Sequence, residues 1–273
     1  MRNTKSIVII TLIAILTFGS CKENDDPVSP NIPPENVYQY FPSYPNLYLK
    51  YDLFELRDDT TKIGFREVYF LNDTLINNTN YTEYRISYNN IIEQKYFRRT
   101  DRGLYFLFDS TYIDYFSDYI PPLGDSLKLV YDREMNYLSL PPQDSLSWNV
   151  AKVNIVYNNL LVFTVVSLKA TLIEKSNFIS DTLGLNIPSL KYNYELRIVV
   201  PEEDLTLPPT EYIFNAQAEY GIEVGLLNFA GDSIIIDFMF GKRLSVIYRN
   251  RKILQMLTSA SDLHLLFSNN NLN

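Results

Sequence analysis

Leu47-Tyr48-Leu49-Lys50-Tyr51-Asp52-Leu53 decides the fold class. Leu47, Leu49, Tyr51 and Leu53 fall on one face of an extended segment, and Tyr48, Lys50 and Asp52 on the other. That is the two-residue period of a half-buried strand. The same pattern returns in Lys62–Leu71, Tyr81–Tyr88, Glu93–Thr100 and Gly103–Asp109. It continues through Leu127–Tyr131, Trp148–Tyr157, Leu160–Glu174, Lys191–Val200, Ile222–Phe229, Ser233–Phe240 and Arg243–Tyr248. Tyr, Phe, Ile, Val and Thr crowd these runs, and such residues pack well on a pleated surface. Asp101-Arg102-Gly103 predicts a hairpin connection, and Gly231-Asp232 a tight turn with positive φ. No long amphipathic helix alternates with the strands, which disfavours a parallel α/β sheet. The expectation is a mainly β domain over residues 37–250, an antiparallel meander forming an open or closed barrel-like sheet.

The tail changes period. In Arg251–Phe267 the apolar Ile253, Met256, Leu257, Ala260, Leu263 and Phe267 recur at helical spacing. Residues 251–273 therefore read as an amphipathic C-terminal helix with a polar Asn-rich end, placed to cover an open face or edge of the sheet.

The first 36 residues speak of location. Arg2 and Lys5 precede the apolar run Ile7–Leu16, which is too short to span a bilayer core comfortably and suits a secretory signal. Gly19 and Ser20 lead into Cys21, the one cysteine of the chain, and Thr17-Phe18-Gly19-Ser20-Cys21 resembles a bacterial lipobox. That resemblance implies a signal peptide over 1–20, cleavage between Ser20 and Cys21, and lipidation of Cys21 by acyl chains such as palmitate. Two or three chains anchor a protein stably, whereas one is marginal. Loss of Arg2 and Lys5 takes the formal charge from -8 to -10. This acidity disfavours the domain lying tightly on an anionic lipid surface, so the anchor holds it there. Residues 21–36 contain Glu23, Asp25 and Asp26, then Pro27, Pro30, Pro33 and Pro34. They read as a flexible, extended tether whose 15 or so residues reach roughly 45 Å.

Composition excludes several functions. One cysteine forbids an internal disulfide, and one histidine, His264, forbids a two-histidine metal site. A pI near 4.8 speaks against a nucleic-acid surface. With 22 Tyr, 16 Phe and an apolar fraction of 46%, the chain has ample material for a core. Its 9 glycines include no phosphate-cradling loop, and the G-x-x-x-G at Gly221 and Gly225 is no dinucleotide fingerprint.

Three further stretches carry a resemblance. Phe41-Pro42 leads into an aromatic-rich first strand, the turn Asn72-Asp73-Thr74 precedes a second hairpin, and Tyr220-Gly221-Ile222-Glu223-Val224-Gly225-Leu226-Leu227 precedes the last. Together they resemble a broad group of Bacteroidota-type surface and outer-membrane lipoproteins. The acidic cluster behind Cys21 looks like the export signal of that group. The resemblance implies an open antiparallel barrel like that of lipoprotein carriers, an outer-membrane and cell-surface location, and no enzymatic residues. Pro45-Asn46-Leu47-Tyr48 stands where the group has Gly-Asn-x-Trp.

Chemistry candidates are few. His264 lies among leucines in the predicted helix, where a general base would lack positioned partners. Asp58-Asp59 and Glu202-Glu203-Asp204 sit at strand ends as charged turns, and Asp109, Asp114 and Asp118 complete the acids a glycosidase could pair. Asn72-Asp73-Thr74 and Asn77–Asn80 are oxygen-rich but lack calcium-loop spacing. Trp148 stands at a strand start and reads as buried. Aromatics crowd Leu104–Ile120, and alternation sends Tyr105 one way, Phe106 and Phe108 the other. If the barrel holds a cavity, Tyr105, Phe106, Phe108 and Tyr112 line it for an apolar ligand; if filled, they are core. The expected function is a lipid-anchored, non-enzymatic envelope protein without metal or cofactor, binding an apolar or amphiphilic ligand in a half-barrel. The alternative is a structural lipoprotein docking on another envelope protein, with a glycan hydrolase behind both.

Overall fold

The alternation at Leu49, Tyr51 and Leu53 becomes burial: along β1 (Tyr48–Glu55) every second side chain turns inward and is buried. The computed structural model describes residues 36–41, 46–56, 61–88, 91–108, 127–140, 147–180, 184–202, 208–240 and 252–260. The signal segment, the tether, Cys21 and His264 lie outside the described residues, as do Asp58, Asp59, residues 109–126 and the predicted strand Arg243–Tyr248.

Twelve more strands follow: β2 (Thr61–Ile76), β3 (Thr79–Tyr88), β4 (Ile91–Arg99), β5 (Gly103–Leu107), β6 (Leu127–Tyr131), β7 (Glu134–Ser139), β8 (Ser147–Tyr157), β9 (Leu160–Ser180), β10 (Leu185–Val200), β11 (Thr210–Gly221), β12 (Gly225–Asp232) and β13 (Lys252–Ala260). Two short helices accompany them, α1 (Val37–Tyr40) and α2 (Ser233–Phe240). Among the described residues the thirteen strands form one antiparallel sheet ordered β6-β8-β9-β10-β11-β12-β13-β1-β2-β3-β4-β5-β7. Strands β7 and β11 fall where no run was predicted. The sheet curls until its ends approach. Trp148 on β8 donates Nε1 to the Asn136 carbonyl on β7 at 2.8 Å, and Tyr194 on β10 donates to the Tyr137 carbonyl at 2.8 Å.

Two hairpins owe their turns to asparagine. Asn77-Asn78 (φ 49° and 63°) joins β2 to β3, and Asn158-Asn159 (φ 47° and 64°) joins β8 to β9. Asparagine tolerates the left-handed region that such two-residue turns require. The turn predicted at Asn72-Asp73-Thr74 is instead a register shift within β2, between Phe70 and Asp73. The hairpin predicted at Asp101–Gly103 joins β4 to β5.

The C-terminal part corrects the sequence reading twice. Ser233–Phe240, predicted as a strand, is helix α2, and Ile235, Ile236, Asp237 and Phe238 are all buried. The run does not hold the alternation read there, because its Ile234, Ile235, Ile236 and Phe238 would put apolar side chains on both faces of a strand. Held inside a curled sheet, it satisfies its backbone hydrogen bonds internally, which only a helix allows. Conversely, Lys252–Ala260 of the predicted tail helix is β13, paired with β1 on one side and β12 on the other. A slot between the first and last meander strands offers hydrogen bonds along both edges, and that outweighs helical periodicity. Residues 261–273 lie outside the described residues. Gly231 is likewise no turn residue. It lies in β12 opposite Ala216, and a Cβ there would stand 2.4 Å from the Ala216 Cα.

Candidate functional site: the sheet interior and its rims

The interior has an aromatic part and a polar part. In the first, Phe41 from the α1 end meets Phe70 and Phe97 edge-on, with centroids 5.7 and 5.2 Å apart, and Phe106 meets Tyr137 at 4.6 Å. Edge-to-face pairs of this kind stabilise beyond the area they bury. The cavity bordered by Phe41, Leu49, Tyr51, Val68, Phe70 and Tyr84 measures about 10 Å³, room for one water.

The polar part contains Arg66, which pairs directly across β1–β2 with Tyr51 and is 1% exposed. Its guanidinium stands 5.1 Å from the centroid of the Tyr51 ring. Asp237 on α2 is equally buried. Burial pushes Arg66 below its ordinary value, and Tyr84, Tyr51, the Asp237 charge and Tyr220 pull it back up. Tyrosines tie this centre to the backbone. Tyr51 donates to the Leu226 carbonyl at 3.0 Å, and Tyr137 donates to the Phe238 carbonyl of α2 at 3.0 Å. Tyr194 and Tyr220 stand hydroxyl to hydroxyl at 3.5 Å. Burial raises the phenols of Tyr51, Tyr84, Tyr194 and Tyr220, so each keeps its proton. The arrangement seats α2 and buries Arg66 and Asp237 in one interior, where the Asp237 charge favours the charged form of Arg66.

The residues singled out for ligand lining separate. Phe106 and Phe108 point inward and are buried; Phe108 meets Phe238 of α2 with centroids 5.9 Å apart. Tyr105 faces the other way, half-buried, with the Arg98 guanidinium 4.4 Å from its ring centroid. Tyr112 lies outside the described residues. Trp148 packs edge-on against Tyr192, half-buried. Of the acids, Asp109, Asp114, Asp118, Glu203 and Asp204 lie outside the described residues, and Glu202 accepts from the Thr210 hydroxyl at the surface. Among the described residues no three His, Cys, Asp or Glu side chains gather as a metal site.

Sequence reading missed Arg66 and Asp237. Arg66 shares the parity of Val68 and Phe70, which was a signal that it points inward. Asp237 carried none, because its segment read as a strand. Also missed was the outer pair Arg98–Glu134, a bidentate contact at 2.5 Å for both bonds, to which Tyr81 adds a hydroxyl at 2.7 Å. Burial alone would raise Glu134, but the bonds from Arg98 and Tyr81 hold it below its ordinary range.

No family model matches the chain, and no curated protein matches it. Two solved structures are similar. One is a candidate lipoprotein from Parabacteroides distasonis, 9% identical with a TM-score of 0.45, covering 81% of this chain and 98% of its own. The other is a candidate exported protein with a YmcC-like fold from Bacteroides fragilis, 10% identical with a TM-score of 0.43 and the same coverage. Likeness at this level assigns neither a family nor an activity.

Proposed function

We propose that this chain is a lipid-anchored, non-enzymatic protein of the outer membrane, exposed at the cell surface, whose curled sheet is a rigid scaffold docking on another envelope protein. One observation favours this over an internal apolar ligand. The inward rings Phe70, Phe97, Phe106 and Phe108 pack against one another and α2, while large apolar side chains such as Leu75 and Ile179 stand outside. Apolar side chains at the β2–β3 and β9–β10 hairpin ends offer a contact surface, whereas the cavity beside Phe70 and Tyr84 has room for one water only.

Two measurements test this. Cys21→Ser should release the protein from the membrane fraction and abolish acyl labelling, and persistent labelling would sink the anchor. A photo-crosslinker at Leu75 or Ile179 of the native anchored chain should capture a defined envelope protein. Lipid or another apolar molecule released from the folded chain in native mass spectrometry, with no crosslinked partner, would return the ligand reading in its place.

A further inference from the structure

The curled sheet meets itself where β7 comes alongside β8. Neighbours in the strand order are joined by ladders; β10 and β11, for example, keep one register from Ser189 opposite Gly221 to Val200 opposite Thr210. Among the described residues β7 and β8 share no ladder. The chain divides its pairing at this point. Strand β6 pairs with β8, from Leu127 opposite Tyr157 to Tyr131 opposite Val153. Asp132 and Arg133 follow, both exposed, and β7 then pairs with β5 instead.

A bulge on each strand accompanies the parting. In β8 the register shifts between Asn149 and Ala151. In β7 it shifts between Asn136, opposite Tyr105, and Leu138, opposite Leu104, so Tyr137 is the extra residue. Bulges bend their strand and interrupt regular pairing. Side chains reaching main-chain carbonyls close the seam in place of a ladder. Trp148 of β8 donates Nε1 to Asn136 at 2.8 Å, and Tyr194 of β10 donates to Tyr137 at 2.8 Å. The Tyr137 hydroxyl in turn donates to the Phe238 carbonyl of α2 at 3.0 Å. Tyr137 therefore takes part in two of these three bonds. A few single bonds resist parting less than a ladder does, and sheets open first where backbone pairing is thinnest.

We propose that the β7–β8 seam is a lateral gate. Strand β7 swings away from β8 about Asp132 and Arg133, still paired with β5, and draws Tyr137 off the end of α2 while the ladders stay closed. The Arg133 carbonyl accepts from the Phe108 amide at 2.7 Å, so the hinge does not part β7 from β5. Behind the seam stands an aromatic wall. Trp148 meets Tyr192 edge-on with centroids 5.4 Å apart, and Tyr192 meets Tyr220 at 6.0 Å. Opening gives this wall access from the side without unfolding the sheet. The gate goes beyond the docking reading, which concerns the hairpin ends, and does not depend on it.

The test is amide hydrogen exchange of the full chain carrying Cys21→Ser, read by mass spectrometry. Segments 134–139 and 147–152 should exchange roughly tenfold faster or more than 62–70 and 82–88 of β2 and β3, at rates that low urea barely changes, since opening the seam exposes little surface. Edge amides also exchange early, so the second measurement removes a latch. Tyr194→Phe keeps the ring and drops the hydroxyl. Exchange in 134–139 and 147–152 should then quicken together, about fivefold, the usual net contribution of one hydrogen bond. Trp148→Phe should likewise quicken both segments, although its indole belongs to β8 alone. Seam segments as slow as β2 and β3, or as sensitive to urea, overturn the proposal. So does a Tyr194→Phe chain in which neither segment, or only one, exchanges faster.

Discussion

Asp237→Asn removes one charge from the interior and keeps the side chain's volume. Both Arg66 and Asp237 are 1% exposed, so water cannot take over the role of the lost carboxylate. The Asp237 charge is one of four groups that favour the charged form of buried Arg66, and losing it should cost about 1–3 kcal/mol. That is a sizeable share of the roughly 5–15 kcal/mol by which domains are stable. With a urea slope of about 3 kcal/mol/M, the unfolding midpoint should fall by about 0.3–1 M. Arg66→Met removes the buried guanidinium that feels this charge and should cost a similar amount. The double variant Arg66→Met, Asp237→Asn removes both charges and should return to within about 1–2 kcal/mol of the native chain. Urea unfolding of the full chain carrying Cys21→Ser, followed by far-UV circular dichroism, measures all four corners of the cycle. A midpoint shift below about 0.3 M for Asp237→Asn, or a double variant as unstable as the two singles summed, would refute the coupling.

Glu134→Gln should lower stability at neutral pH by about 0.5–1 kcal/mol, since Arg98 and Glu134 are partly solvated. The native carboxyl titrates below its unfolded value near 4.3, so the gap between the two proteins is full above that pH and closes as pH falls through the lower folded value; melting curves from pH 7 to 3 would show a constant gap if the reasoning fails. Gly231→Ala brings a Cβ to 2.4 Å from the Ala216 Cα and 2.5 Å from the Asn215 carbonyl, so β11 and β12 must separate at a cost of about 2–3 kcal/mol. An unchanged melting temperature for that variant would show that the strands have room to spare.

The strands were legible because alternation is a local property. Leu49, Tyr51 and Leu53 point inward whatever lies across from them, and Phe106 and Phe108 share a face by parity alone. The Asp101–Gly103 hairpin was legible for the same reason, since a turn is specified by its own residues. Helix α2 was not. Ser233-Ile234-Ile235-Ile236 reads as strand by composition, and only a surrounding sheet makes a helix the cheaper way to bury it. For β13 the error ran the other way: Ile253, Met256 and Leu257 have helical spacing, but the hydrogen-bonding edges of β1 and β12 draw the segment into the sheet. The candidate site divided along the same line. The parity that separates Tyr105 from Phe106 and Phe108 was legible in the sequence, and the structure buries only the latter two.

By itself the sequence determined the strand-rich class, the inward set of side chains along most strands and the shortage of catalytic groups, because these follow from residue type and the two-residue period. The tertiary structure alone decided that Arg66 is buried where it feels the charge of Asp237, 171 residues further along the chain. It alone decided that Lys252–Ala260 closes the sheet, and that Leu160 and Leu161 are left outside it. Each depends on which edges and faces remain unpaired after the sheet curls, and no local pattern records that.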